Sequence, residues 1–585
     1  MVTRLRHLLL LVVPVLAGAA DGPSLGCGCD PGVGSVIDND GDGSGATIDC
    51  DDANPAVHPG AEEHCDGVDE DCDGEVDEDS VDRATFYEDL DGDGWGGETT
   101  VEDCEAPDGF VEQAGDCDEL DDSIHPGAPE VCCDEVDQDC DGEMDEGCAG
   151  DLVLLGETTE AYAGEVLAAV GDLDGDGFED LAIGAPDAPE GAHGGRGKVY
   201  VFSGGAGLAP GQEILLQDEA EIFAALGDGL GYALTGLGDL DGDGFDDMAM
   251  GAPWAGSAGF EDGLVLIAYG PVSGVIGDGF GDGLITGGQD HAGFGWSVAG
   301  VGDLTGDGQR DLAVGSPYFD HITDREGIIS VFSGAVEWEQ SASEAALTIT
   351  GSQVSRSVGH GLAGPGDHDG DGQADLLFSY EMWDNGGKVG LLGGPAQGSV
   401  AIEDVTLYLS TCSTTAELGV ALSWAGDVNI DGYDDFVVGA PGDEGGAVYL
   451  FHGPITAPGA CDQAAVTLSG SVEDGRLGDA VVADLDADGD GWPDLAAGAA
   501  QGWRDPCDHG AGAAYLWLGP FEGGYEDDSA DRVFVGNGAV EKLGWAMAAA
   551  DLDGDGLDDL AIGTPGTDVF NENEGAVWIA LGGSL

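Results

Sequence analysis

From residue 151 onward the chain alternates apolar and polar positions in short runs, each closed by Gly, Pro or acidic residues. Between residues 294 and 352 the runs are FGWSVAGVGD, RDLAVGSP, GIISVFSG and AALTITGS. Period-two alternation rich in β-branched residues puts successive side chains on opposite faces of an extended backbone, so these runs predict four β-strands and no helix.

The pattern repeats. DLDGDGFEDLAIGAP at Asp172 returns, with variation, at Asp239, Asp303, Asp367, Asp427, Asp486 and Asp551, at intervals of 59 to 67 residues. Units of this length holding four antiparallel strands predict an all-β fold, a seven-bladed β-propeller over residues 149–585. The last unit ends after its third strand, GAVWIALGG, whereas DLVLLGE at 151–157 resembles the fourth-strand segments EILLQDE, LTITGSQ and VTLSGSV. It is expected to complete the last blade and leave no long open edge.

Residues 36–148 follow a different pattern: two Asp- and Cys-rich copies, 36–82 and 83–148, without strand or helix periodicity. They predict a small, loop-rich region stapled by disulfides and metal. Ahead of it, MVTRLRHLLLLVVPVLAGAA has a basic start, an apolar run and a small-residue cleavage site, so residues 1–20 read as a signal peptide and 21–35 as a linker. Cys27 in SLGC offers a lipid-anchored alternative, against which stand Ser24 and the upstream end of the apolar run.

Composition sharpens this. Lys and Arg total 13 against 119 Asp and Glu, a net charge of -106, which disfavours nucleic acid and anionic membrane as partners and favours cations. No later stretch reaches the ~18 consecutive apolar residues of a membrane helix, so no transmembrane segment is expected. Eleven of 14 cysteines lie between Cys27 and Cys148, a density that in an exported protein favours disulfides. The protein is expected to be secreted or associated with the cell surface.

Each propeller unit carries D-x-D-x-D-G-x-x-D between its first two strands. In blade one this makes Asp172, Asp174, Asp176 and Asp180 side-chain ligands and Phe178 a carbonyl donor. Blade two has Asp239, Asp241, Asp243, Phe245 and Asp247, and blade three Asp303, Thr305, Asp307, Gln309 and Asp311. Blade four has Asp367, Asp369, Asp371, Gln373 and Asp375, and blade five Asp427, Asn429, Asp431, Tyr433 and Asp435. Blade six has Asp486, Asp488, Asp490, Trp492 and Asp494, and blade seven Asp551, Asp553, Asp555, Leu557 and Asp559. Ca²⁺ takes six to eight oxygens at about 2.3–2.6 Å, which alternating carboxylates around a tight turn supply. Without a cation, two carboxylates about 4 Å apart repel by roughly 4 kcal/mol at an effective dielectric near 20. Multiple Ca²⁺ ions are therefore expected as part of the fold.

The same spacing recurs in the N-terminal copies at Asp69, Asp71, Asp73, Asp77 and at Asp137, Asp139, Asp141, Asp145. Asp38, Asp40, Asp42 and Asp49 fit a twelve-residue loop, and Asp89, Asp91 and Asp93 begin another that has Thr100 where the last acid should stand. Hard carboxylates favour calcium; copper is the alternative, but His58, His64 and His125 are too few for an imidazole site.

These residues carry two resemblances. Phe294-Gly295, Leu-Gly at 230, 418, 477 and 543, and Gly-Ala-Pro at 184, 251 and 439 resemble the FG-GAP repeats of integrin α-subunit propellers, which also number seven. The copies from Asp38 and Tyr87 are similar to the Asp- and Cys-rich metal-binding repeat of exported bacterial proteins, named after a methanotroph copper-binding surface protein. The first resemblance implies a non-catalytic adhesion or ligand-binding module with an extracellular protein or glycan partner.

No HExxH, GxSxG or P-loop is present, so no catalysis is expected. Aromatic residues in the second-to-third strand loops, Trp254, Tyr318, Trp383 and Trp503, are candidates for ligand contact, or else shield blade edges. The alternatives are a structural calcium-dependent surface protein or a hydrolase of extracellular glycan or lipid, since phospholipases of the glycosylphosphatidylinositol type pair such repeats with a separate catalytic domain. Thr305 and Asn429 replace acids in blades three and five, and Ile430 replaces a turn glycine. Site-by-site calcium titration should therefore find these two loops weakest.

Overall fold

The structure, a computed structural model, describes residues 37–582 apart from 46, 98, 108, 121–123, 127–139, 141–151, 157–160, 189–196, 210–211, 217–220, 225–228, 257–261, 273–275, 278–282, 321–324, 337, 352–356, 382–385, 406, 411–412, 444, 473–474, 502–510, 522, 537–541 and 568–573. The expected signal peptide, linker, Asp137, Asp139, Asp141, Asp145, Trp383 and Trp503 lie outside the described residues. The chain divides into two compact units, Met1–Pro126 and Gly127–Leu585.

In the first unit, Ala84–Glu88 is the central strand of a three-stranded antiparallel sheet, flanked by Thr100–Asp103 and Phe110–Val111. Its described apolar core is small, chiefly Val57, Phe86 and Ile124. Disulfides Cys50–Cys72 and Cys65–Cys104 compensate, the second joining the two sequence copies. Cys117 and, in the second unit, Cys140 and Cys461 are also disulfide-bonded.

The described residues of the second unit form seven sheets of four or five strands. Their first strands, Val166–Gly171, Ala233–Gly238, Ser297–Gly300, Leu362–Gly366, Leu422–Gly426, Ala480–Leu485 and Met547–Ala550, touch in sequence, and the last returns to the first. This closed cycle makes the unit a β-propeller. Its core is divided into wedges between adjacent sheets: Val170, Val199 and Val201 of blade one, for example, pack on Met248, Met250 and Leu266 of blade two. Closure follows the expectation, because Leu152–Leu155 pairs antiparallel with Ala576–Ala580 as the fourth strand of blade seven.

Four strands per blade is an underestimate. Trp338–Ser341, from the third-to-fourth connection of blade three, pairs in parallel with Gly283–Thr286 of blade two. Ile276–Gly277, Gly398–Ala401, Gly459–Ala460 and Gly523–Glu526 are lent to blades one, three, four and five in the same way. Gln212–Leu215 pairs with Leu152–Leu155 of blade seven, while Glu221–Ala224 is the fourth strand of blade one. EILLQDE, read above as a fourth strand, is thus an outer one. Such strands cover edges that would otherwise expose unpaired backbone.

The glycines of the repeat meet at the blade junctions. A Cβ on Gly251 would lie 2.1 Å from the Gly295 carbonyl oxygen, and one on Gly563 would lie 2.1 Å from that of Gly164, across the closure. The Gly295 N–H donates to Gly315 O at 3.2 Å. Gly251→Ala should destabilise the propeller by about 1–3 kcal/mol through overpacking. Gly205→Ala, where a Cβ meets nothing within 4 Å, should stay within about 0.5 kcal/mol in the same thermal melts.

Candidate metal centres and ligand face

Every propeller loop wraps its backbone around its own carboxylates. In blade one, Asp172 Oδ1 accepts from Gly175 N–H at 2.7 Å and its Oδ2 from Gly177 N–H at 3.0 Å. Asp174 Oδ1 accepts from Asp176 N–H and Asp176 Oδ1 from Phe178 N–H, each at 3.0 Å. Asp239, Asp241 and Asp243 repeat the arrangement, as do Asp551, Asp553 and Asp555. The first three acids of each full motif are thereby gathered on one turn, as the spacing predicts.

The ninth-position acid ties the loop to the blade in a way that spacing did not reveal. Asp180 is fully buried at the start of the second strand, where its Oδ2 accepts from Leu173 N–H at 2.9 Å and its Oδ1 from Gly204 N–H, beyond the third strand, at 3.1 Å. Asp247, Asp375, Asp435, Asp494 and Asp559 make the same two ties. Burial pushes Asp180 up to about 7 and Asp247, Asp311, Asp435, Asp494 and Asp559 up to about 6, despite backbone donors acting on each.

Neighbouring loops also clasp each other. Asp172 N–H donates to Asp246 Oδ2 of the next blade at 3.0 Å, Asp367 N–H to Asp434 Oδ2 at 2.7 Å and Asp486 N–H to Asp558 Oδ2 at 2.9 Å. The seventh-position side chain sits on the fourth-position glycine of the preceding loop: Phe245 on Gly175, Tyr433 on Gly370, Leu557 on Gly489 and Phe178 on Gly554. Phe178, Phe245, Tyr433 and Leu557 thus join neighbouring loops.

The divergent loops differ as their sequences suggest. The Thr305 hydroxyl faces Asp311 in the interior, and Asn429 Nδ2 is engaged by His452 Nδ1 at 2.6 Å. Ile430, 71% exposed, holds the left-handed turn at φ 57°, a region costly for a β-branched residue. In blade four, His368 replaces the aliphatic second residue and its Nδ1 meets Asp375 Oδ2 in the interior.

In the first unit, ligand atoms of Asp38, Asp40 and Asp42 converge, as do those of Asp69, Asp71 and Asp73 and those of Asp89, Asp91 and Asp93. Asp49 leaves a buried Oδ2 without a hydrogen-bond partner, as do Asp40 and Asp42. Asp77 Oδ1 accepts from Gly67 N–H at 2.9 Å at a backbone φ of 63°. Ligand atoms of Glu63 and Glu78 converge with Asp71. Glu63 is distant from the motif, so spacing could not find it.

At the end of the propeller away from these loops lies a cavity of about 490 Å³, lined by Tyr232, Trp296, Tyr318, His360, Glu417, Val420, Arg476, Asp479 and Trp545. Tyr232, Trp296, His360, Val420, Asp479 and Trp545 each follow the junction glycine of their repeat. Trp296 packs on Tyr232 at 4.7 Å and Tyr318 at 5.1 Å between ring centroids, and Trp254 packs edge-on against Tyr232 at 4.7 Å. Trp254 and Tyr318 are thus brought together as ligand candidates; Tyr232, Trp296 and Trp545 were missed because they stand in the first strands' approach. Arg476 pairs with Glu417 at 3.0 Å and Asp479 at 2.8 Å. Glu417 and Arg476 hold positive φ of 56° and 61°. Burial pushes His360 down to about 4.

The repeat family described as "FG-GAP repeat" matches residues 163–202, 230–267, 294–332, 418–451 and 543–579. This chain carries FG-GAP repeats. The unmatched blades are four, where Ser379 stands in place of the first glycine of the Gly-Ala-Pro element, and six, which reads Gly-Ala-Ala. The family described as "Putative metal-binding motif" matches 49–78 and 116–146. The FG-GAP region is similar to integrin alpha-5 of Xenopus laevis, 37% identical over 28% of this chain and 15% of that protein. It is also similar to integrin alpha pat-2 of Caenorhabditis briggsae, 29% identical over 39% of this chain and 18% of that one. The human phosphatidylinositol-glycan-specific phospholipase D is 33% identical over 32% of this chain and 24% of its own length. The chain thus spans less than a quarter of each of these relatives. No described helix is long and apolar enough to cross a membrane.

Without divalent ions, the buried ninth-position acids hold their protons in the fold up to about pH 6–7 but near pH 4 when unfolded. Folding then takes up protons between those values, so metal-free protein gains stability as pH falls. Its melting temperature should be higher at about pH 5 than at about pH 7.5, and added calcium should abolish or reverse that difference.

Proposed function

We propose that this is an exported, calcium-stabilised FG-GAP propeller that works as a non-catalytic adhesion or ligand-binding module outside the cell. The cavity opposite the aspartate loops carries this reading. It combines aromatic faces with a Glu417–Arg476–Asp479 cluster, the mixture of apolar wall and few oriented polar groups typical of a ligand site. Strained backbone at Glu417 and Arg476 supports it, since such conformations persist where side-chain placement matters. The loops at the other end supply all-oxygen donors suited to Ca²⁺, which fixes the hairpins and leaves the cavity end for an extracellular protein or glycan. Similarity to integrin alpha chains favours adhesion, while similarity to a phospholipase keeps a hydrolase as the second reading.

Protein and glycan arrays probed with the purified chain, in calcium and after chelation, test the reading. Binding should require calcium, and Trp296→Ala should weaken it by at least about tenfold, or 1.4 kcal/mol, in protein that still melts cooperatively. Retained binding by the variant, or turnover of an arrayed glycan, would count against it.

A further inference from the structure

The loop at Asp89 lacks a terminal acid in sequence, and the fold supplies one from elsewhere. We propose that Asp89, Asp91 and Asp93 join Asp116 and Glu119 in one hard-cation centre, a calcium-type site assembled from two separate segments of the first unit.

The free oxygens point to it. Asp89 Oδ1 accepts from Gly92 N–H at 2.7 Å, Asp91 Oδ1 from Asp93 N–H at 3.3 Å and Asp93 Oδ1 from Trp95 N–H at 2.7 Å. The second oxygens of Asp91 and Asp93 are buried and have no hydrogen-bond partner. Asp116 is only 8% exposed; its Oδ1 accepts from Asp118 N–H at 2.9 Å, and its Oδ2 is likewise buried and without a partner. Both Glu119 oxygens are buried and lack a partner of hydrogen-bond geometry. Five acidic oxygens are thus withdrawn from water with nothing to replace it, which protein interiors avoid unless a cation completes the set.

The two segments face each other. Gly96, just after the Asp89–Asp93 loop, bridges to Ala114, just before Asp116: Gly96 N–H donates to Gln113 O at 2.9 Å and Gly115 N–H to Gly96 O at 3.0 Å. Glu119 lies across Gly97, where a Cβ would stand 2.0 Å from its Oε1. The residue that linear spacing places last, Thr100, is in a strand opposite Tyr87.

The donors are all carboxylate oxygens, which suits a hard ion of variable coordination and not copper or zinc. His125 stacks on Trp95, its ring centroid 6.5 Å away. The first copy repeats the plan: Asp49 opens the corresponding Asp-Cys-Asp turn and, like Asp40 and Asp42, leaves its Oδ2 buried and without a partner, while Asn39 N–H donates to Asp52 Oδ1 at 3.0 Å. In that reading the metal-binding unit is a D-x-D-G-D-G loop together with the later Asp-Cys-Asp turn.

Terbium is the probe, because Trp95 adjoins Asp93 and can sensitise its emission. In the full chain, the emission lost on Trp95→Phe defines this centre. Asp116→Asn with Glu119→Gln should weaken that component's Tb³⁺ affinity by about 30-fold or more, and calcium should compete it away. Gly97→Ala, which keeps every carboxylate but crowds Glu119, should also weaken it, while Thr100→Val should leave it within about twofold. Peptide mapping of Cys50–Cys72 and Cys65–Cys104 reports whether each variant has folded. Unchanged affinity in folded Asp116→Asn/Glu119→Gln protein, or no Trp95-dependent emission, would overturn the centre.

Discussion

Mutual repulsion of carboxylates governs this protein. A net charge of -106 is concentrated where the chain turns most sharply, between the first and second strands of each blade and in the loops of the first unit. The backbone absorbs part of that repulsion, since most loop acids accept one or two N–H groups from their own turn. What remains is an array of oxygens whose natural complement is a divalent cation. In the propeller the array is secondary to seven apolar wedges. In the first unit, with its few buried apolar side chains, disulfides and carboxylate clusters carry much more of the load.

The ninth-position aspartate connects charge to architecture. It belongs to the acidic loop, yet its two oxygens tie that loop to the end of the third strand. Loop geometry and blade geometry are therefore a single problem. The clasps from Asp246, Asp434 and Asp558 extend it around the ring, so the order of one loop bears on the next. The lent outer strands make a similar connection at the rim, where each borrowing blade is held by the next unit in sequence.

The two ends of the propeller consequently have different chemistry. One is crowded with acids that repeat with little variation. The other carries a different residue after the junction glycine of almost every blade, from Tyr232 through Trp296 and His360 to Asp479 and Trp545. A closed ring tolerates this because the junction contact needs only backbone and a glycine, leaving the next side chain free to vary. Repetition at one end and variety at the other is what a scaffold with a separate recognition surface requires.

Period-two alternation and recurrence of the aspartate phrase by themselves determined the all-β class, the repeat length, the strand carrying Leu152 to Leu155 into the last blade, and the three converging acids of most loops. These features are local: a few consecutive residues specify both a hairpin and the carboxylates on it. The outer strand Trp338–Ser341 escaped such reading because it is short, partly polar and held only by pairing with Gly283–Thr286 of another blade. Glu63, Asp116 and Glu119 escaped because an acid brought in from another segment leaves no spacing to recognise. The cavity likewise became visible only on closure, when residues from different blades, each next to an unremarkable glycine, were brought to one end of the ring. Local sequence fixes what a turn can bind; which separate turns meet depends on the packing of whole sheets.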